Sequence, residues 1–401
     1  VFNGDILKQL RLLYGMTRKE LAAKLDITEQ AVWQFEKNEI SPKTSVRLKM
    51  TNLFGVRSDY FSQVSSNSNF DMTSVAFRNE AESTRKATDI QEAYLNALDS
   101  LTVFLESMVM IPNQKIIDLV NILSQKEPDK NNLEELALFT KEFLGISDDN
   151  SDLLYQLEKS GIYIFERKMA NNEDAYSIWS NTNRPFIILG TGKTAVRRNF
   201  DLAHELGHLL LHRNIDFSTL SRDEFLEKES EANNFASYFL LPRENFIQDM
   251  ANLVGKRVSN PDNYIDLKRK YTVSIQALEY RAFKLGLVSP SQHGYFYRLI
   301  NKNNYKTFEK LDDEIIVKRP SKVRSMLNTI LLNVLTLESL SSALKVDSRF
   351  LAHLLSVQPQ FFDKYKKTIS DEDKFDNIIR LNDVSRGLFK CPTITTITRK
   401  S

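Results

Sequence analysis

The sequence predicts a multidomain, mainly α chain: an N-terminal all-α helix-turn-helix, a central α+β unit with a small sheet, and a C-terminal helical domain. Three observations predict it. Apolar residues recur at helical spacing through the first forty positions, apolar extended runs precede an H-E-x-x-H helix at residue 204, and the last hundred residues are rich in Leu and Ile. The boundaries expected are 1–62 for the helix-turn-helix, 63–160 for a linker and helical connector, 161–298 for the central unit and 299–401 for the last domain. A chain of 401 residues suffices for two or three cores, and 42% hydrophobic with 26% charged residues is an ordinary soluble composition. A net charge of +2 excludes wholesale coating of nucleic acid or membrane, so any DNA contact must be local. The single cysteine, Cys391, excludes an internal disulfide and a Cys-based zinc site. With no apolar run of membrane-spanning length and no signal sequence, a cytoplasmic location and no membrane partner are expected. The chain begins at Val1 without Met, so a few native residues or a cleaved tag are expected to be missing before it.

In the first unit Phe2, Ile6, Leu10 and Leu13 mark one helix face, Thr17 caps a second helix with Leu21, Ala22 and Leu25 inward, and Thr28 caps a third with Val32 and Phe35 inward. The small Ala22 permits a tight crossing. Glu29, Gln30, Trp33 and Gln34 are left facing outward, and Gln30 and Gln34 could bind adenine edges bidentately. Arg18, Lys19, Lys37, Lys43 and Arg47 would grip phosphates. This segment resembles the XRE or lambda-repressor-like DNA-binding domains over about residues 2–62. Thr17 to Ala22, Val32, Glu36 and Pro42 sit where that pattern places them, while Asp26 replaces the usual turn Gly and Asn38 stands where Gly often follows the third helix. Both tolerate left-handed geometry. The resemblance implies binding to a double-stranded DNA operator; the alternative is a protein-docking domain, for which Trp33 would be an anchor.

A Ser/Asn-rich connection covers 63–72, a short strand is expected at Ser74 to Arg78, and a long helix from near Ala87 to about Val109, before Pro112. Helices around 131–144 and 150–160 lead to strands at Ile162 to Phe165, Ala175 to Trp179 and Pro185 to Leu189. An edge of that sheet could lie beside the site and receive an extended substrate.

The site itself begins with His204-Glu205-Leu206-Gly207-His208. Two imidazoles four residues apart project from one helix face and can share a tetrahedral ion, while Glu205 suits a general base acting on water activated by that ion. A third His ten residues on is absent, because that position is Asn214. The remaining source is a carboxylate on the acidic helix that ends at Leu240-Leu241-Pro242. Ala232, Phe235, Ala236, Phe239 and Leu240 mark its buried side, which Glu229 and Asn233 flank. Glu229 could then ligate the ion and Asn233 orient a ligating His, with Ala232 and Ala236 allowing the helices to approach. Glu231, about 200° from Glu229 around the helix, is the competing ligand. His212 is read as a C-terminal His interacting with the helix dipole.

Phe200 to His212, followed by Glu229-Ser230-Glu231-Ala232-Asn233-Asn234-Phe235-Ala236 and Leu240-Leu241-Pro242, resembles the ImmA/IrrE metallopeptidases over roughly residues 160–290. That resemblance implies a zincin-like peptidase fold, Zn2+ as cofactor, Glu229 as the carboxylate that completes the site, and cleavage of transcriptional repressors. Asp201 departs from the Ser or Thr more usual there, and a solvent-facing position is expected for it.

Further on, a helix pair is expected over Asp266 to Leu287 with a turn at Val273-Ser274. His293 is weighed as a transition-state donor against a plain aromatic cluster with Tyr295-Phe296-Tyr297. Leu340 to Leu355 has helix-turn-helix-like spacing, leaving a sensor or dimerisation role open. The expected whole is a DNA-binding zinc-dependent endopeptidase that cleaves a partner regulatory protein, repressor or antitoxin-like, to control stress, phage or mobile-element genes. The alternative is a non-catalytic XRE regulator using the zinc domain as a sensor or protein-binding module. A homodimer is a reasonable expectation for a helix-turn-helix reader.

Overall fold

The computed structural model describes residues 1–63, 68–75, 84–111, 114–125, 132–169 and 175–365. Cys391, Pro112 and the expected strand residues Ala76 to Arg78 lie outside them. The chain opens with α1 (Gly4–Leu13), α2 (Arg18–Leu25), α3 (Glu29–Glu36) and α4 (Thr44–Phe54). Thr17 caps α2 in a reciprocal box with Glu20, Thr28 caps α3 through the Ala31 amide, and Asp26 takes the left-handed turn at φ 58°. Asn38 is left-handed as well. Phe2, Ile6, Leu10, Leu13, Leu21, Ala22, Leu25, Val32 and Phe35 are all buried, as their spacing requires.

The connector contains α5 (Thr84–Glu106), α6 (Lys115–Gln125), α7 (Leu133–Leu144) and α8 (Leu153–Lys159). Three expectations change here. Ser74 closes a short 3-10 turn over Met72–Ser74 instead of opening a strand, α5 ends at Glu106 rather than near Val109, and α6 was not anticipated. The sheet follows as β1 (Tyr163–Arg167), β2 (Ala175–Trp179) and β3 (Pro185–Gly190), in the order β1-β3-β2. β1 is parallel to β3 with Tyr163 opposite Phe186, and β2 is antiparallel to β3 with Ala175 opposite Leu189. Alternation along the strands then divides two cores. Tyr163, Phe165, Tyr176, Ile178, Phe186 and Ile188 join the core of the first unit and α5. Ile164, Trp179, Ile187 and Leu189 face the other way, onto α9 (Ala195–Leu211) and α10 (Arg222–Leu240).

Beyond α10 come α11 (Arg243–Asp249), α12 (Ile265–Tyr271), α13 (Ile275–Lys284) and α14 (Pro290–Lys302), with the expected turn at Val273-Ser274. The last described helices are α15 (Lys322–Asn333), α16 (Leu337–Leu344) and α17 (Ser348–Leu354). They do not enclose a core of their own: Leu327, Ile330, Leu340, Phe350 and Leu351 belong to the same buried cluster as Phe2, Leu7 and Phe54. The molecule is therefore multidomain and mainly α, with its two ends joined through one core. No single described helix is long and apolar enough to cross a membrane.

Candidate metal centre and nucleic-acid face

The long helix α9 begins at Thr194, whose side chain accepts from the Arg197 amide, and carries the two histidines on the face turned toward α10. A Cβ on Gly207 would come within 3.1 Å of the Phe235 ring and 3.4 Å of the Ala232 Cα, so glycine lets these helices touch closely. Ala232 and Ala236 are fully buried on the opposing side. Glu229 on α10 thereby meets the α9 histidines: its carboxylate lies 3.3 Å from His208 Nε2 and 3.8 Å from His204 Nε2, and the two Nε2 atoms are 3.0 Å apart. Nitrogen ligands at about 2.0–2.1 Å from one tetrahedral zinc stand roughly 3.3 Å from each other, so the spacing suits a single ion.

The hydrogen bonds behind these atoms fix which nitrogens carry protons. Glu231 Oε2 lies 2.8 Å from His212 Nε2 and Lys228 holds the same carboxylate, whose pKa is lowered despite partial burial by its bonds to His212 and Lys228. A carboxylate only accepts, so His212 Nε2–H donates. Burial, reinforced by His208, pushes His212 down to about 4, so its Nδ1 is an acceptor at neutral pH. His208 Nδ1, 2.9 Å away, must then be the donor, so that in the neutral ring the lone pair lies on Nε2. His204 follows the same logic. Its Nδ1 lies 3.1 Å from the Asn233 Oδ1 acceptor, and burial followed by His208 pushes its pKa down to about 4. In these tautomers two nitrogen lone pairs and the Glu229 carboxylate converge on one point. Such a donor set repels itself unless a cation fills the space, and two imidazoles with one carboxylate match zinc.

Glu205 is buried on the opposite flank, facing β2. Ser177 Oγ donates to its Oε2 at 2.7 Å. Burial pushes the carboxyl above its ordinary range, opposed by His208 and the Ser177 bond. Trp179 Nε1 donates to Leu209 O from the same edge strand, so β2 is fastened along α9. Asp201 is buried, with Arg197 at 3.4 Å, and not solvent-facing. Glu231 also reaches α9, one turn further along than Glu229, and His212 is tied to it rather than acting on the dipole alone. His293 pairs with Glu279 and stacks on Phe283, outside the group of metal-compatible residues. The sequence missed Ser177, Gly207 and the chain from Glu231 to His208; only the further His four residues after His208 signalled the last.

On the first unit, Thr28, Glu29, Gln30, Lys19 and Lys37 are exposed, while Trp33 and Gln34 are half-buried beside them. Arg18 is drawn inward by an ion pair to the buried Glu36 at 2.7 Å, a carboxylate it shares with Arg11. These two arginines hold the end of α3 against α1 and α2.

Residues 157–283 match the IrrE N-terminal-like domain of the peptidase M78 family, and residues 7–61 match a helix-turn-helix family. Over 57 residues the chain is 39% identical to the HTH-type transcriptional regulator ImmR of Bacillus subtilis (strain 168), covering 14% of this chain and 45% of that protein. The chain thus spans less than half the length of this relative.

Proposed function

We propose that this chain, an XRE-type helix-turn-helix joined to an IrrE/ImmA-like M78 domain, is a DNA-binding zinc-dependent endopeptidase that cleaves a partner regulatory protein, repressor or antitoxin-like. The observation that carries the reading is the convergence of ligand atoms of His204, His208 and Glu229 within 4.8 Å of one another, beside a buried carboxylate, Glu205. His204, His208 and Glu229 would hold zinc, with Asn233 orienting His204. When bound, zinc supplies Lewis-acid polarisation of a water and of the scissile carbonyl. Glu205 takes the proton of the attacking water and delivers it to the leaving amine, and burial, which raises its pKa, makes it a better base for that exchange. Ser177 holds the Glu205 carboxylate in place. The edge strand β2 beside α9 offers main-chain groups for an extended peptide. Lys19, Thr28, Glu29, Gln30, Trp33, Gln34 and Lys37 form the DNA contact, with Arg18 engaged by Glu36 behind them, and this contact brings the peptidase to an operator where its substrate sits.

Co-expression of the chain with the regulatory protein encoded beside it tests the reading. A fragment that forms with wild type and not with Glu205→Gln, at equal zinc content, is expected. A regulatory output that survives in Glu205→Gln, with no fragment from either form, would favour the non-catalytic regulator.

A further inference from the structure

Residues 68–75, on the way from the first unit to α5, meet the edge strand β2 at one end. The Asn181 amide donates to Asn69 O at 2.7 Å, and Phe70 pairs antiparallel with Ser180. Asn69 is fixed from behind by α5: its side chain donates to Asp99 at 2.8 Å and its amide to Asn96 Oδ1 at 3.1 Å. The Phe70 ring is buried edge-on against Phe186. The Met72–Ser74 turn that follows packs on the Phe217–Thr219 turn, with the Thr73 hydroxyl within hydrogen-bond reach of the Asp216 carboxylate. Phe217 in turn packs edge-on against His208 and His212, with ring centroids 5.8 and 6.1 Å apart. One continuous bridge thus runs from the outer edge of β2 to the carboxyl end of α9, beside the metal ligands.

The pairing also fixes a direction. The Ser180 amide turns inward to Arg184 O, and the Asn181 amide turns outward to Asn69 O. Alternation then turns the backbone groups of Trp179, Ser177 and Ala175 to the outer edge, on which Asn69–Phe70 already lies antiparallel. Side chains of the same strand mark distance along α9, since Ser177 meets Glu205 and Trp179 meets Leu209 O. An extended peptide in line with Asn69–Phe70 runs antiparallel to β2, its amino side toward Ser180 and its carboxyl side toward Ala175. From Ser177, opposite Glu205, to the bridge at Ser180 is about 10 Å at the rise of a strand. Among the described residues no further segment pairs with the outer edge of β2 at its Ala175 end.

We propose that residues 69–74, with Asp216 and Phe217, are the end wall of the substrate cleft. The wall admits about two residues on the amino side of the cut bond and leaves the carboxyl side to run along Ser177 and Ala175. The bond cut in the partner therefore follows a chain start, or a turn that leads the partner away from the cleft, and a long extended stretch on the amino side is refused. This rests on the peptidase reading and adds to it the direction and the length limit of the substrate.

Two series of peptide hydroxamates, which bind zinc through the hydroxamate, test the wall by affinity alone. In one the hydroxamate ends the peptide, so the residues lie on the amino side of the metal; in the other it begins the peptide, so they lie on the carboxyl side. Calorimetry on the zinc-loaded full-length chain should give about 3-fold tighter binding for each residue added on the carboxyl side, the worth of a backbone hydrogen bond. On the amino side the gain should stop after the second residue. A benzophenone at the amino end of the two-residue member should crosslink to residues 69–74 or 216–217. Steady gain through four residues on the amino side, no gain on the carboxyl side, or crosslinks confined to the Ala175 end would overturn the proposal. So would a zinc-loaded chain that binds neither series. The expected affinities in a chain that cuts no partner would fail the peptidase reading and leave the wall standing.

Discussion

At the residue scale, the pairing of His204 with His208 was legible because H-E-x-x-H fixes its own geometry: four residues on a helix place two rings on one face whatever surrounds them. The carboxylate was less determined. Glu229 and Glu231 both lie on α10, and only the offset between α9 and α10 decides that the first meets His204 and His208 and the second meets His212. Glu229→Ala should abolish zinc retention in dialysed protein, whereas Glu231→Ala should keep zinc with weaker affinity, by about 10-fold to 100-fold, since it loosens the His208 tautomer. Equal zinc loss in both would remove the distinction. Ser177 could not be found from spacing, because it reaches Glu205 through the register of β2 against β3. Ser177→Ala should lower turnover with little change in zinc content or substrate affinity, and an unchanged rate would show that Glu205 needs no support from it.

At the scale of elements, the closeness of α9 and α10 carries the site. Small residues on α10 were visible as an Ala-x-x-x-Ala spacing, but the matching Gly207 lies inside the metal motif, where its spacing says nothing of packing. Gly207→Val inserts bulk against Phe235 and should cost about 1–3 kcal/mol of stability while weakening zinc retention. Thermal unfolding with and without zinc measures both, and a variant of wild-type stability would contradict the packing. Two buried lysines give a pH signature. Burial pushes Lys141 on α7 and Lys322 at the start of α15 down to about 8, against nearby carboxylates that oppose the shift. Between that value and the ordinary 10.5 the unfolded chain holds more protons, so stability should rise with pH. From pH 8 to 9.5 the gain is on the order of 1 kcal/mol for each lysine, and Lys141→Met should flatten its share. A denaturation midpoint that falls over this interval in wild type would refute the assignment.

At the scale of the whole molecule, periodicity and caps gave the helices of the first unit and of the last described segment, and apolar extended runs gave the three strands, but nothing local in the sequence indicated that these two helical segments share one core. That contact joins Val56 to Val346 and Tyr94 to Leu354 O across nearly the whole chain. It puts DNA reader, sheet and peptidase helices in continuous contact, since one face of the sheet belongs to the reader's core and the other to the α9 and α10 core. The first unit and the α9–α10 pair therefore rest on opposite faces of one sheet. The central claim remains that one metal centre and Glu205 together cut a partner protein. The most direct measurement follows the intact mass of that partner with purified chain, first chelated and then given one equivalent of zinc. The account predicts no fragment after chelation, one cut restored by zinc, and none with zinc-loaded Glu205→Gln. A cut that persists without zinc or with Glu205→Gln would contradict it, as would an intact partner beside fully zinc-loaded wild type.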